Sequence, residues 1–299
     1  MTTQTALVRT KERLLSLDIF RGMTIIAMVL VNMVGDHDHA YAAITHVDWN
    51  GWSIADLVFP FFIFIVGVAM PYSFSKRLAR GDSQLKLFGH ILLRSVALFA
   101  IGLYMTWYYN LMNGVPPNYL SDIRLFGALQ RIGFCYLFAA PLYLKLKNRG
   151  LPILSGVILV GHFILLRFIP PPGHTAPVLT ANGSWVQYID LHLMPGHLGF
   201  GLDSTWENKG FLGTAPGVVN MLIGVLAGLY LRSARSALEK VRGFLVAGNV
   251  GMVLGLIWSI WIPINQSLWT SSLVMFMCGM ALVILACCYY VADVRKITW

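Results

Sequence analysis

Residues 54–74 read IADLVFPFFIFIVGVAMPYSF, and Asp56 is the one charged side chain among them. A helix of roughly 20 apolar residues crosses a hydrocarbon core about 30 Å thick. The run does not alternate with period two, as the strand of a membrane β-barrel would. Working outward, comparable runs occupy 14–34, 87–109, 123–144, 151–169, 213–231, 243–263 and 271–291, which makes eight expected spans. The whole chain of 299 residues is 57% hydrophobic and 12% charged, with a mean hydropathy of +0.67. These values exclude an ordinary soluble domain and point to an all-α polytopic membrane protein.

The net charge of +9 would suit nucleic acid only if the basic residues formed one patch. They are instead distributed between the apolar runs, so no nucleic-acid partner is expected. With the N-terminus inside, the cytoplasmic segments hold Arg9, Lys11, Arg13, the group from Lys76 to Lys86, Lys145, Lys147, Arg149, the group from Arg232 to Arg242, Arg295 and Lys296. The outer loops hold one basic residue, Lys209, against Asp36, Asp38, Asp48, Asp122, Asp190, Asp203 and Glu207. This bias in every loop predicts that both ends face the cytoplasm. Arg21, Arg94, Arg124, Arg131 and Arg167 fall within spans or at their ends, where a charge needs a partner or a purpose.

The basic start and first apolar run, with Ala40-Tyr41-Ala42 beyond it, have the outline of a cleaved leader. Asp18 and Arg21 interrupt that run, so an uncleaved first span is expected. Cys135, Cys278, Cys287 and Cys288 have no metal-type spacing and read as packing residues; no metal is expected. One domain over 1–299 is the economical reading, with a long extracytoplasmic loop at 170–212. A loop of that length often carries function, and its Trp185, Tyr188, Asp190, His192, His197, Trp206 and Glu207 offer aromatic faces and polar groups suited to a sugar. An interfacial helix with aromatics at headgroup level explains the same composition.

Several groups are equipped for chemistry. Asp18 and Arg21, three apart, share a helical face near the cytoplasmic edge; they form a structural ion pair or a contact to a phosphate-bearing cofactor. Arg124 and Arg131 lie two turns apart along the fourth span, with Gln130 adjacent. Arg131 would sit about 12 Å deep at 1.5 Å per residue, facing a polar cavity or a buried carboxylate. Ser53 and Asp56 have capping-box spacing, so Asp56 either simply caps the helix or is a catalytic candidate. Pro60, one turn in, frees a carbonyl for a neighbouring group or a ligand. Just outside this helix His46 can take a proton near neutral pH, although His37, His39, His174, His192 and His197 have the same chemistry.

Four blocks resemble the heparan-alpha-glucosaminide N-acetyltransferase family and its bacterial relatives, within the transmembrane acyltransferases marked by a Ser-Leu-Asp signature. They are Ser16-Leu17-Asp18 with Arg21-Gly22; Val31-Asn32; His46 with Trp49-Asn50-Gly51 and Ala55-Asp56-Leu57-Val58-Phe59-Pro60; and Leu129-Gln130-Arg131-Ile132. Weaker likeness continues through Ile189-Asp190, Leu222 to Leu226 and Leu268-Trp269-Thr270-Ser271-Ser272. The resemblance implies an acetyl-CoA donor, an amino-sugar or glycan acceptor across the membrane, and residence in a bacterial inner membrane. It also implies a catalytic His46 and a working Asn32. Asp56 joins them as a catalytic candidate. Trp49 and Asn50 are the acceptor-binding candidates, and Asp18, Arg21, Arg124, Gln130 and Arg131 the candidates for holding the donor. Relatives carry further spans past the position of Trp299, so C-terminal spans are expected to be missing here. The glycine-rich sixth span permits close helix contacts, such as those of a homo-oligomer.

The expected reaction moves acetyl from cytoplasmic acetyl-CoA to the amine, His46 acting as general base or as transient acetyl acceptor. The competing class is a transporter that binds an anionic or sugar substrate with its intramembrane arginines; a structural or assembly protein is the third.

Overall fold

The computed structural model describes residues 14–35, 39–114, 123–146, 149–199 and 206–297. Arg9, Lys11, Arg13, Asp36, His37, Asp38, Asp122, Lys147 and Asp203 lie outside them. The regular structure among the described residues is helical: α1 Leu15–Asn32, α2 Ile54–Leu78, α3 Gln84–Met112, α4 Ala128–Lys145, α5 Gly150–Phe168, α6 Trp185–Leu193, α7 Thr214–Leu231, α8 Ala237–Trp258 and α9 Ser271–Cys288, the last continuing as a π-helical turn over Tyr289–Val294. Seven of these helices are long and apolar enough to cross a membrane. α4 carries Gln130 and Arg131 in its first turn and falls outside that set. The protein is an all-helical polytopic membrane protein.

Most of α2, α7 and α9 is buried, whereas α1, α3, α5 and α8 turn most of their surface outward. The outward side chains include Ile26, Leu93, Val157 and Val253, a surface that lipid rather than water can solvate. Between apolar helices in lipid the association energy comes from close packing, which small residues allow. A Cβ on Gly224 of α7 would run into the Phe64 carbonyl of α2 and lie 3.1 Å from the Cα of Gly67, and one on Gly228 would meet the Val68 carbonyl. α8 and α9 meet similarly, through Gly248, Gly251 and Gly255 against Gly279 and Phe276. The glycines of the sixth span thus serve contacts inside the chain.

α2 contains Pro60 and Pro71, and the carbonyl each proline frees lies four residues earlier. For Pro60 that carbonyl belongs to Asp56, and Gln266 Nε2 donates to it at 3.2 Å, so a neighbouring group fills the gap. At the other end of the molecule Leu14 gives α1 no side-chain cap. The Asp293 carboxylate supplies it, accepting from Leu15 N–H at 3.2 Å and Ser16 N–H at 3.0 Å. Cys135, Cys278 and Cys288 are buried free thiols and Cys287 is exposed.

Helix boundaries differ from hydropathy in two places. The fourth span was expected to begin at 123, but 123–127 is extended: Leu125 N–H donates to the His197 carbonyl at 3.3 Å and His197 Nδ1 donates to Ile123 at 2.9 Å. Arg124 and Arg131 therefore do not share a helical face, and Arg131 stands in the first turn of α4. The seventh run, expected at 243–263, starts instead at Ala237, where Ser236 and Glu239 close a capping box.

Candidate functional site

The loop before α2 and the first turn of that helix bring His46 to Asp56, with Nδ1 at 2.6 Å from Oδ1. The other carboxylate oxygen accepts from Ser53 N–H at 3.0 Å, Ser53 Oγ at 3.1 Å and Val47 N–H at 3.4 Å. Asp56 is thus both cap and partner, one oxygen for each duty. Its side chain is 2% exposed and that of His46 55%. A carboxylate acceptor puts the imidazole proton on Nδ1, which leaves Nε2 as a lone-pair base without a hydrogen-bond partner among the described residues. Of the competing histidines, His192 donates to the Tyr188 carbonyl and His197 to that of Ile123.

The loop that holds this pair is fastened to the connection between α8 and α9. Gly51, at φ +108°, donates its N–H to the Ile264 carbonyl at 2.8 Å. Asn265 Nδ2 donates to Trp49 O at 2.8 Å and to Asn50 Oδ1 at 3.2 Å. Trp49 Nε1 reaches the Leu179 carbonyl at 2.8 Å, and its ring packs 5.3 Å from that of Trp206. Trp49 and Asn50 thus join three connecting segments. Asn32, the last residue of α1, is exposed and spends one amide hydrogen on Met28 O at 2.8 Å.

A second layer lies beneath. Trp269 is fully buried in left-handed backbone, φ +52°, a conformation a bulky residue adopts only where its surroundings enforce it. Its Nε1 donates to Asn220 Oδ1 at 3.0 Å, its ring meets Phe59 edge-on at 5.2 Å, and the Arg131 guanidinium sits 4.8 Å from its centroid. Arg131 donates to the Lys209 carbonyl at 3.2 Å and the Gly210 carbonyl at 2.7 Å, and its Nη1 is a buried donor without a partner. Arg124 forks onto Glu207, Nε to Oε2 at 2.7 Å, and also reaches Asn208. The two arginines pull residues 207–210 of the connection between α6 and α7 into the bundle. Gln130 is buried against Gly102 and Gly127. Asp18 and Arg21 form an ion pair at 3.6 Å. Arg94 lies over Tyr136, and Arg167 donates to the Trp261 carbonyl.

Two loop groups are electrostatically unusual. Burial pushes the Asp190 carboxyl up to about 7; Oδ1 accepts from Phe211 N–H at 2.8 Å while Oδ2 is buried without a partner. Burial, with Arg131 and Arg124 adding to it, brings the Lys209 ammonium down to about 7; it stands 4.9 Å over the Phe59 ring. Sequence reasoning passed over Asn265 and Gln266, took Trp269 only as part of a weaker family likeness, and counted Lys209 only as the exception to the outer-loop charge rule. That exception was the usable signal.

A family model described as the catalytic region of heparan-alpha-glucosaminide N-acetyltransferase matches residues 13–234. The chain is 31% identical to human heparan-alpha-glucosaminide N-acetyltransferase over 95% of its own length and 49% of that protein. It is 30% identical to the mouse protein of the same name, over 95% and 50%. The chain spans about half the length of the curated relatives it matches. The His46–Asp56 pair, the arginines that draw in the outer loop and the buried Trp269 all belong to a chain that is a member of the heparan-alpha-glucosaminide N-acetyltransferase family.

Proposed function

We propose that this chain transfers acetyl from acetyl-CoA to the amine of a glucosamine-type sugar, with eight spans, both ends cytoplasmic and His46 at the extracytoplasmic mouth. The observation that carries the reading is the 2.6 Å contact from His46 Nδ1 to the buried Asp56, which fixes the tautomer and frees Nε2. A sugar amine is mostly protonated at neutral pH and not nucleophilic. Nε2 passes that proton to solvent, and as the neutral amine attacks the thioester carbon Nε2 takes the second. The imidazolium that forms is stabilised by the Asp56 carboxylate. Asn32, whose amide keeps a second hydrogen beyond the one given to Met28, is the candidate donor to the oxyanion, a contact worth about 3 kcal/mol where such donors are preorganised.

CoA is made in the cytoplasm and is too polar to cross, so its phosphates stay near Arg21 while the acetyl end reaches inward. Arg124 and Arg131 contribute by holding residues 207–210 in the bundle, since most of their donors are engaged there. Trp49 and Asn50 shape the acceptor side. The sugar specificity is supported by the family and by the aromatic residues of the outer loops.

The test is acetyl transfer from labelled acetyl-CoA to free glucosamine in purified membranes, wild type against His46→Asn. Loss of the amide product in the variant is expected; equal rates remove His46 from the mechanism. Incubation without acceptor separates the direct route from the covalent one, because label persists on His46 only in the second.

A further inference from the structure

We propose that Lys209 protonates the departing CoA thiolate, an assignment that rests on the acetyl-transfer reading above. The argument begins with direction along α2. That helix starts at the mouth beside His46, and Phe59 lies three residues beyond Asp56, about 4.5 Å further along the axis. Lys209 covers the Phe59 ring at 4.9 Å and Asp56 is among the charges facing it, so its ammonium stands near the carboxylate that holds His46. A thioester that comes from the interior presents its carbonyl carbon to the imidazole side and its sulfur to the deeper side. The assignment puts Lys209 on the sulfur side.

The backbone around Lys209 is tied in both directions. Its N–H donates to Glu207 Oε1 at 2.8 Å, and its carbonyl accepts from Arg131. Glu207 is in turn gripped by Arg124. A lysine that merely solvated a loop would need none of this support. Its side chain makes no salt bridge among the described residues, so its proton is not committed to a carboxylate. The charged groups facing it are Arg131 from α4, Arg124 from the extended segment before it, Glu207 of its own loop and Asp56 of α2. With burial, these hold the ammonium at about 7, where a proton is readily given up near neutral pH.

The step balances. The amine lone pair forms the C–N bond while His46 Nε2 takes one amine proton. Collapse of the tetrahedral intermediate breaks the C–S bond, and the electron pair goes to sulfur. The Lys209 proton follows it, giving a free thiol and a neutral lysine, and the proton held on His46 returns to lysine through solvent. The neutral amine and the thioester become amide and thiol with no net proton change, an acceptor that arrives as ammonium having first released one proton to solvent.

The test uses the full chain in detergent, glucosamine as acceptor, and two donors: acetyl-CoA and S-phenyl thioacetate, whose aryl thiolate leaves without protonation. The ratio of the two rates within one sample cancels any difference in folded fraction. Lys209→Met is expected to lose about 100-fold with acetyl-CoA and less than about threefold with the aryl donor. Lys209→Arg, a cation that holds its proton, should behave in the same way. The wild-type rate with acetyl-CoA should fall as pH rises through about 7, a limb both variants lack. Equal losses with the two donors, or an alkaline limb retained in Lys209→Met, overturn the assignment. If His46→Asn is inactive with both donors while Lys209→Met shows no donor preference, acetyl transfer stands and only the role of Lys209 fails. If wild type acetylates glucosamine from neither donor, the functional reading fails and this assignment falls with it.

Discussion

Replacing Asp56 by Asn tests the pair on which the proposed chemistry depends, because the two carboxylate oxygens have different partners. A carboxylate only accepts, and here it accepts from His46 Nδ1 at 2.6 Å, Ser53 N–H at 3.0 Å, Ser53 Oγ at 3.1 Å and Val47 N–H at 3.4 Å. An amide keeps one acceptor oxygen and turns the other position into a donor. If the oxygen stays with the helix cap, the NH2 faces His46, and the imidazole must change tautomer or turn away. The lost charged hydrogen bond is worth about 1.5 to 3 kcal/mol, and a donor left facing a donor costs about 1 more. A total near 3 kcal/mol corresponds to about 100-fold in kcat/KM. If instead the oxygen turns to His46, the cap is lost at a cost of about 1 kcal/mol in stability and activity falls less. Initial rates of glucosamine acetylation, paired with thermal unfolding in the same detergent, separate the two cases. Ser53→Ala, which removes only the hydroxyl contact, should stay within about threefold of wild type. Asp56→Asn activity within about threefold of wild type, beside an inactive His46→Asn, would refute the claim that the carboxylate orients the base.

Other outcomes follow from the packing and from the buried acid. Gly224→Ala must push α7 off the backbone of α2, so a loss of about 1 to 3 kcal/mol is expected, seen as a lower unfolding midpoint. Gly22→Ala, where nothing lies within 4 Å of the added carbon, should be neutral, and equal effects at the two sites would contradict the packing. Asp190 titrates at about 7 folded against an ordinary 3.8. The fold therefore favours its neutral form: the stabilisation is complete below about 4 and is lost as pH rises to about 7, with a ceiling of about 4 kcal/mol at about 1.4 per unit. Asp190→Asn should flatten that dependence between pH 5 and 8; parallel unfolding curves for the two proteins would exclude it.

The long apolar runs were readable because lipid demands continuous hydrophobicity, and α1, α2, α3, α5, α7 and α9 lie close to where hydropathy put them. The start of α4 was not, because Ile123 and Leu125 are apolar whether helical or paired with His197. Hydropathy does not register a backbone pairing made by a residue more than seventy positions away. The His46–Asp56 contact joins residues ten apart, so the loop before α2 and its helix cap carried it in one stretch of sequence. The layer beneath joins Arg131, Lys209 and Trp269 from three distant segments, and no local pattern announces such a meeting. Asp56 looked like a choice between cap and catalyst because one letter of sequence does not reveal that its two oxygens point to different partners.

The cap of α1 has a bearing on how the molecule is made. Leu15 and Ser16 give their amides to a carboxylate 278 and 277 positions further along the chain. During ribosomal synthesis the first helix therefore enters the bilayer with those donors open, and stays so until residue 293 has left the exit tunnel. Docking of α1 onto the π-helical turn at Tyr289–Val294 therefore waits until α2 to α9 have been made.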